Sequence, residues 1–322
     1  MTWSWSVKEA KISGVVALAM AVPFLPIRAD AHAIAGDHYF PATYTFDDPA
    51  VSDEMTFPAF GSLKHSDDAG TVLDQSFPVS FSRLLLPNLM LGVDSGYDRR
   101  SWGETRRDGM TATTLSVKTQ VLRDDDRETL AAVKLGWAIG GSGAADVGAN
   151  APDILKPGVF FGQGLGNLPQ ALYWLRPLAV MGAVEGAFAT RHGTVTNMGT
   201  ILGTGLVGPQ ATRETDHLHW GMAFSYSTHY VQDWGPHWPY QHEPLNQFVP
   251  VMELAFDSGV GTVTTGTVNP GLAYVAERYQ VLGEASLPIN GATGHNVGFQ
   301  AQLTLFIDDL MPSLFGKPVF EP

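Results

Sequence analysis

Residues 296–307 read Asn-Val-Gly-Phe-Gln-Ala-Gln-Leu-Thr-Leu-Phe-Ile. From Val297 to Leu305, every second side chain is apolar and the intervening ones are polar or small, which is the period of a β-strand with two different faces. The stretch is longer than most strands of soluble proteins. It is also slightly longer than a tilted strand needs to cross a bilayer. Residues 296–307 therefore predict a membrane-spanning strand. Phe299, Leu303 and Leu305 would face lipid, and Gln300 and Gln302 would face a lumen.

The same alternation recurs along the chain and predicts an all-β fold. A bacterial barrel with both ends in the periplasm has an even number of strands, so a weakly patterned strand near 55–64 is expected to complete the set. We predict a transmembrane antiparallel up-and-down β-barrel of about 12 strands in the bacterial outer membrane, and a soluble antiparallel sandwich is the alternative. The other strand-like segments are 71–85, 88–97, 110–121, 130–139, 154–163, 177–188, 215–228, 247–257, 266–276, 279–288 and 296–307.

Two prolines lie inside these segments. Pro78 and Pro250 each remove a hydrogen bond from the strand ladder. A barrel has no free edge at which such a gap is harmless, so we expect both prolines near strand ends or at bulges.

The first residues have the layout of a cleavable export signal. Lys8 and Lys11 precede an apolar run over 12–27, and two small-x-small sites follow at 29–33. A single membrane anchor is the alternative, but the run is short and contains helix breakers. We therefore divide the chain into a signal peptide (1–33), an irregular periplasmic N-terminal segment or small plug (34–54), a barrel (55–307) and a periplasmic C-terminal tail (308–322).

Composition excludes several classes of function. The formal net charge is −13, and removal of the signal makes it slightly more negative, so nucleic acid is a poor partner. The chain contains no cysteine, which excludes disulfides and thiol chemistry. We expect no cofactor. The expected partners are membrane lipid, lipopolysaccharide and an unidentified small solute.

Several stretches of the chain are similar to a known family. They resemble uncharacterised proteobacterial outer-membrane proteins that are related in pattern to the putative transporters grouped with the meta-pathway of phenol degradation. The resemblance implies a barrel and transport, and it names no catalytic or ligand site. The stretches are 36–42 (GDHYFPA), 174–180 (WLRPLAV), 265–271 (TGTVNPG), 279–285 (YQVLGEA), 287–290 (LPIN) and 302–310 (QLTLFIDDL).

Charged and amide residues on the polar faces of the strands are the candidate site residues. A charge on the lipid face of a barrel is costly, so these side chains are expected inside. There they either select a solute or fill the lumen with salt bridges. The lumen-lining candidates are Lys118, Lys134, Glu185, Glu253, Glu284, Gln300 and Gln302.

Two further patterns are weaker. His217 and His219 share a strand face and are the candidate metal ligands, with His229, His237 and His242 downstream, but no carboxylate or thiolate at fixed spacing completes a set. Residues 203–208 match the letters of a dinucleotide-binding loop but lack the strand and helix that this loop requires. The leading functional hypothesis is passive transport of a small, apolar or aromatic solute. A metal-handling protein, a barrel hydrolase and a structural barrel with a plugged lumen are the alternatives.

Overall fold

The computed structural model describes residues 33–67, 70–149, 152–191, 194–200, 207–213, 216–228 and 245–320. The predicted signal peptide lies outside these residues except for Ala33. The strands are β1 (Ile34–Ala35), β2 (His38–Tyr39), β3 (Glu54–Asp67), β4 (Gly70–Leu86), β5 (Leu89–Trp102), β6 (Thr105–Met110), β7 (Thr114–Asp124), β8 (Thr129–Ala138), β9 (Ile154–Gly164), β10 (Leu178–Ala189), β11 (Thr194–Thr200), β12 (Val207–Arg213), β13 (His217–Tyr226), β14 (Phe248–Gly259), β15 (Thr265–Val275), β16 (Tyr279–Pro288) and β17 (Gly298–Phe306).

Antiparallel pairing closes the large sheet into a barrel. Each strand pairs with its neighbour around the ring, and β17 pairs with β3. β6 pairs with Tyr97–Trp102 of β5, and β7 pairs with Leu89–Asp94 of the same strand, so β6 and β7 together occupy one place in the wall. The described strands thus form a closed barrel of twelve strands. β1 with β2 and β11 with β12 form separate two-stranded hairpins. The predicted barrel is confirmed, and the sandwich is wrong because the pairing of β17 with β3 and of β4 with β5 closes the sheet on itself.

The predicted strands match the observed ones closely, including the weakly patterned first strand. The alternation of apolar and polar side chains is weak in β3. The pairing of this strand with β4 is interrupted between Thr56 and Gly61. Pro78 lies on β4 opposite this irregularity, and Pro250 is the third residue of β14. Both prolines therefore lie where the ladder is already broken or just beginning, as expected.

The two faces of the wall have opposite character. On β17, Phe299 on the outer face is 52% exposed, whereas Gln302 on the inner face is 6% exposed. A closed barrel leaves no unpaired ladder groups in the bilayer, and an apolar outer belt makes its burial in lipid favourable. The protein is therefore a β-barrel of the bacterial outer membrane. Exposed apolar side chains of the outer belt include Leu91, Val93, Leu115, Val117, Trp137, Val159, Phe161, Val184, Leu218, Trp220, Met222, Met252, Leu272, Val281 and Phe299.

The barrel has two distinct ends. At the terminal rim, β3 begins and β17 ends, and Glu54 pairs there with Phe306. The opposite end is the distal rim, which carries the β5–β6 hairpin and the links after β8 and β10. The usual rule for bacterial barrels predicts that the terminal rim faces the periplasm. Among the described residues, no helix has the length and apolar character to cross a membrane.

The C-terminal tail folds back on the terminal rim. Two short helices, α1 (Ile307–Leu310) and α2 (Pro312–Phe315), follow β17. The N–H groups of Val319 and Phe320 donate to the carbonyls of Leu84 and Leu85 near the end of β4. Arg83 donates to the carbonyls of Leu314 and Lys317 and forms an ion pair with Asp53. The tail therefore packs against the terminal end of β4, next to the start of β3.

Candidate functional site

Residues 33–53, here called the inner segment, run through the barrel. The Tyr44 hydroxyl lies 2.7 Å from Ser76 Oγ on β4, and the Lys118 ammonium on β7 lies 3.0 Å from the Asp47 carboxylate. On the other side of the ring, Thr43 donates to Glu253 on β14. Contacts with inward-facing side chains on opposite sides of a closed barrel place the segment in the lumen.

Apolar packing fixes the inner segment against the wall. The Phe40 side chain is fully buried, and the Phe46 ring packs among buried residues of β8, β9, β10 and β14. Glycines on the wall make room for both rings. A Cβ atom on Gly162 would lie 2.8 Å from the Phe40 ring, and one on Gly221 would lie 2.4 Å from the Phe46 ring. Glycine at these wall positions therefore leaves space for aromatic side chains of the inner segment.

A buried lysine holds the middle of the inner segment. Lys118 is 1% exposed, and its ammonium donates to the Asp47 carboxylate at 3.0 Å and to the Asp48 carbonyl at 2.6 Å. Burial raises the pKa of the Asp48 carboxyl to about 6, because the opposing attraction of Lys118 offsets only part of the desolvation and Asp47 adds repulsion. On the neighbouring strand, Lys134 pairs with Glu185 at 3.6 Å.

Two buried glutamates hold the opposite side of the segment. The Glu253 carboxylate accepts hydrogen bonds from Thr43, the Thr45 N–H, Asn269 and Gln300. Gln300 also donates to Glu284 at 2.8 Å. Glu253 and Glu284 are 0% and 2% exposed. These acids face inward and are covered by the segment.

A set of hydrogen-bonded groups joins the inner segment to the wall near the terminal rim. The Tyr39 hydroxyl donates to Gln280 Oε1 at 2.8 Å. The Gln280 and Gln302 amides both donate to the Ala42 carbonyl, at 2.8 Å and 3.1 Å. We call this group the barrier, and it consists of Tyr39, Ala42, Gln280 and Gln302.

The inner segment leaves a cavity on one side of the barrel, here called the wall cavity. Its volume is about 250 Å³. The segment forms one side through Thr43–Asp47, and strands β3, β4, β5, β7, β8 and β17 form the other. Its lining is rich in hydroxyl and charged groups, and among these residues are Glu54, Ser80, Ser82, Asp94, Ser116, Lys134 and Gln302.

A second cavity, here called the rim cavity, lies at the terminal rim. Its volume is about 410 Å³. The barrier residue Tyr39 lines the rim cavity, whereas Ala42 and Gln302 line the wall cavity. The barrier therefore stands between the two cavities. The apolar part of the rim lining comes from Ile34, Tyr39, Val249, Val275, Ala276 and Phe306, and its acids are Asp37, Glu277 and Asp309.

The structure distributes the predicted lumen residues over several environments. Lys134 and Gln302 line the wall cavity. Lys118, Glu253, Glu284 and Gln300 lie in the buried contacts around the inner segment, and Glu185 pairs with Lys134.

The candidate metal ligands share a carboxylate. His217 and His219 lie 3.0 Å and 2.6 Å from the two oxygens of Asp257 on β14, a partner that the sequence pattern did not reveal. Among the residues that the structure describes, no group of three His, Cys, Asp or Glu side chains has a metal-binding arrangement. His229, His237, His242 and residues 203–206 of the glycine-rich loop lie outside the described residues.

Sequence reasoning missed the acids of the wall cavity. Asp94 alternates with the outward-facing Leu91 and Val93 on β5, so strand periodicity contained a usable signal for it. Asp47 and Glu54 had no such signal. Asp47 belongs to a segment without periodicity, and Glu54 lies where the pattern of β3 begins.

Comparisons with solved structures find several similar chains. An outer-membrane channel of Pseudomonas putida F1 is similar over 83% of this chain and 99% of its own, with 10% identity and a TM-score of 0.45. The KdgM porin is similar over 78% of this chain and 98% of its own, with 10% identity and a TM-score of 0.38. CdiB from Acinetobacter baumannii matches over 73% of this chain and 42% of its own, with 9% identity and a TM-score of 0.35.

No family model matches the chain, and no curated protein matches it. The similarity to the phenol meta-pathway transporters therefore remains a prediction. What the chain's own residues define is an outer-membrane β-barrel whose lumen holds an N-terminal segment and two cavities.

Proposed function

We propose that the protein lets a small solute cross the outer membrane passively, along the wall cavity, past the barrier and through the rim cavity. The wall cavity carries this proposal, because the inner segment leaves open space there, lined by hydroxyl and charged groups of β3, β4, β5, β7 and β8. Its volume of about 250 Å³ lies just below the usual range of small-molecule pockets, about 300–1,000 Å³. That space fits a small molecule and excludes a polymer.

The barrier sets the size limit of this path. Tyr39, Gln280 and Gln302 are held by hydrogen bonds to one another or to the Ala42 carbonyl. Side chains rotate on fast timescales when their contacts break. A solute that replaces these hydrogen bonds with its own polar groups passes at lower cost than one that cannot.

An apolar or aromatic solute is the second candidate. The apolar lining of the rim cavity favours it, since Ile34, Val249, Val275 and Phe306 contribute to the wall. The resemblance to the phenol meta-pathway transporters points in the same direction by analogy. The wall cavity has a more polar lining than the rim cavity and favours the first candidate, a small polar solute.

The absence of cysteine permits a direct test. Ser80→Cys places a single thiol in the wall cavity, and Leu91→Cys places one on the outer belt. Glycerol influx into proteoliposomes should fall when a charged methanethiosulfonate reagent is added to the Ser80→Cys protein, and should not change for Leu91→Cys. A plugged structural barrel predicts no influx above that of protein-free vesicles, and that result would refute the proposal.

A further inference from the structure

The two cavities have a marked excess of acids. Among the ionisable side chains that line the wall cavity, Asp47, Glu54 and Asp94 are acids and Lys134 is the one base. The rim cavity adds three acids and no base among its described lining residues. A path lined by one sign of charge attracts solutes of the opposite sign and repels those of the same sign.

The acids of the wall cavity differ in how far they are neutralised. Asp47 pairs with Lys118 at 3.0 Å, and the lone base Lys134 pairs with Glu185 at 3.6 Å. Asp94 is half-buried, and no described group forms a hydrogen bond or an ion pair with its carboxylate. Lys134 attracts Asp94 only from beyond ion-pair distance. Asp94 therefore keeps its acceptor capacity for a solute.

A second polar group points to a ligand at the same place. Ser116 lines the wall cavity and is 5% exposed, and no described group hydrogen bonds its hydroxyl. It lies opposite Gly92 on β5, two residues from Asp94. A Cβ atom on Gly92 would lie 2.5 Å from Ser116 Oγ, so the glycine makes room for the Ser116 hydroxyl. The Ser116 hydroxyl faces the cavity, where a solute or water can complete its hydrogen bonds.

We infer that the wall cavity binds small organic cations with a primary ammonium group, with Asp94 as the carboxylate that accepts an N–H donor. This inference rests on the proposed function and names its solute class. An ammonium has three donors, which the Asp94 carboxylate and neighbouring hydroxyl oxygens such as those of Ser80 and Ser116 accept. Asp94 by itself supplies too few ligands for a divalent metal ion, which prefers several charged oxygen ligands.

Three small solutes of similar size test the inference in proteoliposomes at neutral pH: ethanolammonium, glycerol and lactate. Influx of ethanolammonium should exceed that of lactate several-fold in the wild type. Asp94→Asn keeps the shape of the side chain and removes its charge. It should lower ethanolammonium influx by about tenfold, the scale of one charge-assisted hydrogen bond, and leave glycerol influx unchanged. Glu104→Gln, which removes a charge from an exposed turn, is the matched control and should change none of the three rates.

The outcomes separate this inference from the proposed function. If no solute enters faster than into protein-free vesicles, the proposed function fails and the inference fails with it. If glycerol enters but ethanolammonium and lactate enter equally, the proposed function stands and the inference is overturned. Equal effects of Asp94→Asn and Glu104→Gln would also overturn it. The comparison of ethanolammonium with lactate influx uses the wild-type protein alone. It therefore tests the inference even if Asp94→Asn does not assemble.

Discussion

The Lys118 ammonium on β7 lies 3.0 Å from the Asp47 carboxylate of the inner segment, in a barrel interior where Lys118 itself is 1% exposed. The same ammonium also donates to the Asp48 carbonyl. One wall residue thus holds two consecutive residues of the segment. Since the segment determines which part of the lumen stays open, this contact links the stability of the fold to the path for solutes.

Lys118→Met should loosen the inner segment. The substitution keeps most of the side-chain volume but leaves Asp47 and Asp48 without their ammonium partner, and breaking one partner of a buried ion pair costs about 3–5 kcal/mol. We expect a lower melting temperature in micelles and a larger, noisier conductance in planar bilayers. Lys64→Met, at an exposed lysine of β3, is the control. Wild-type conductance and melting in the Lys118 variant would contradict the assigned role.

Leu303→Arg should impair assembly, because Leu303 lies on the outer face of β17. An arginine facing lipid costs roughly 2–4 kcal/mol at the bilayer midplane. Ser80→Arg is the matched control, since Ser80 faces the wall cavity; that variant should assemble but pass less glycerol. Both variants are scored by heat-modifiable migration on SDS gels. Equal assembly would contradict the assigned faces.

Asp48 should give the folded barrel a distinct pH dependence. Its folded-state pKa of about 6 exceeds the ordinary value of 3.8, so the folded protein binds this proton more tightly than the unfolded protein does. Its contribution to stability is therefore full below about pH 4 and is lost as the pH rises through 6. Asp48→Asn keeps the side-chain oxygen that accepts the Ala50 N–H at 2.7 Å.

The stability of Asp48→Asn relative to the wild type should therefore increase between pH 4 and pH 7, by up to about 3 kcal/mol. Thermal unfolding followed by circular dichroism at several pH values measures this difference. Parallel curves for the two proteins would show that Asp48 does not titrate in this range.

Gly162→Ala should destabilise the barrel through a clash with Phe40. The added Cβ would lie 2.8 Å from the Phe40 ring, and overpacking of this kind costs about 1–3 kcal/mol. Most of the cost should disappear in a Phe40→Ala background, which itself loses about 3–5 kcal/mol, and the contact with Pro49 Cγ at 3.0 Å should retain the rest. Gly283→Ala, where an added Cβ has no neighbour within 4 Å, is the control. If the free-energy costs of Gly162→Ala and Phe40→Ala were additive, the Phe40 ring would not lie against Gly162.

Tyr39→Ala should join the wall cavity to the rim cavity. The change removes the hydroxyl that donates to Gln280 at 2.8 Å and the ring that contacts Phe306. Larger neutral sugars should then enter proteoliposomes faster, with a smaller gain for glycerol. Tyr279→Ala, at an outward-facing tyrosine of β16, should not change either rate. Unchanged sugar influx in Tyr39→Ala would show that the constriction lies elsewhere.

The strands of the barrel were predictable because each alternates apolar and polar side chains with a period of two. In β17, the positions of Phe299 and Gln302 follow directly from this period. The same reasoning placed Lys118, Glu253 and Glu284 on inward faces. It could not say whether these residues line an open path or contact other protein groups, since both environments select polar side chains.

Local sequence alone therefore determined the membrane-spanning barrel and its approximate strand number. It also determined which side chains of the patterned strands point outward and which point inward. Only the tertiary structure decided what occupies the lumen. The inner segment has no periodicity, and its route depends on partners far away in sequence: Asp47 contacts Lys118 across 71 positions, and Thr43 contacts Glu253 across 210. The cavities that remain, and the acids that line them, follow from that route. A strand pattern records which face is buried, whereas only closure of the barrel brings those distant faces together around the inner segment.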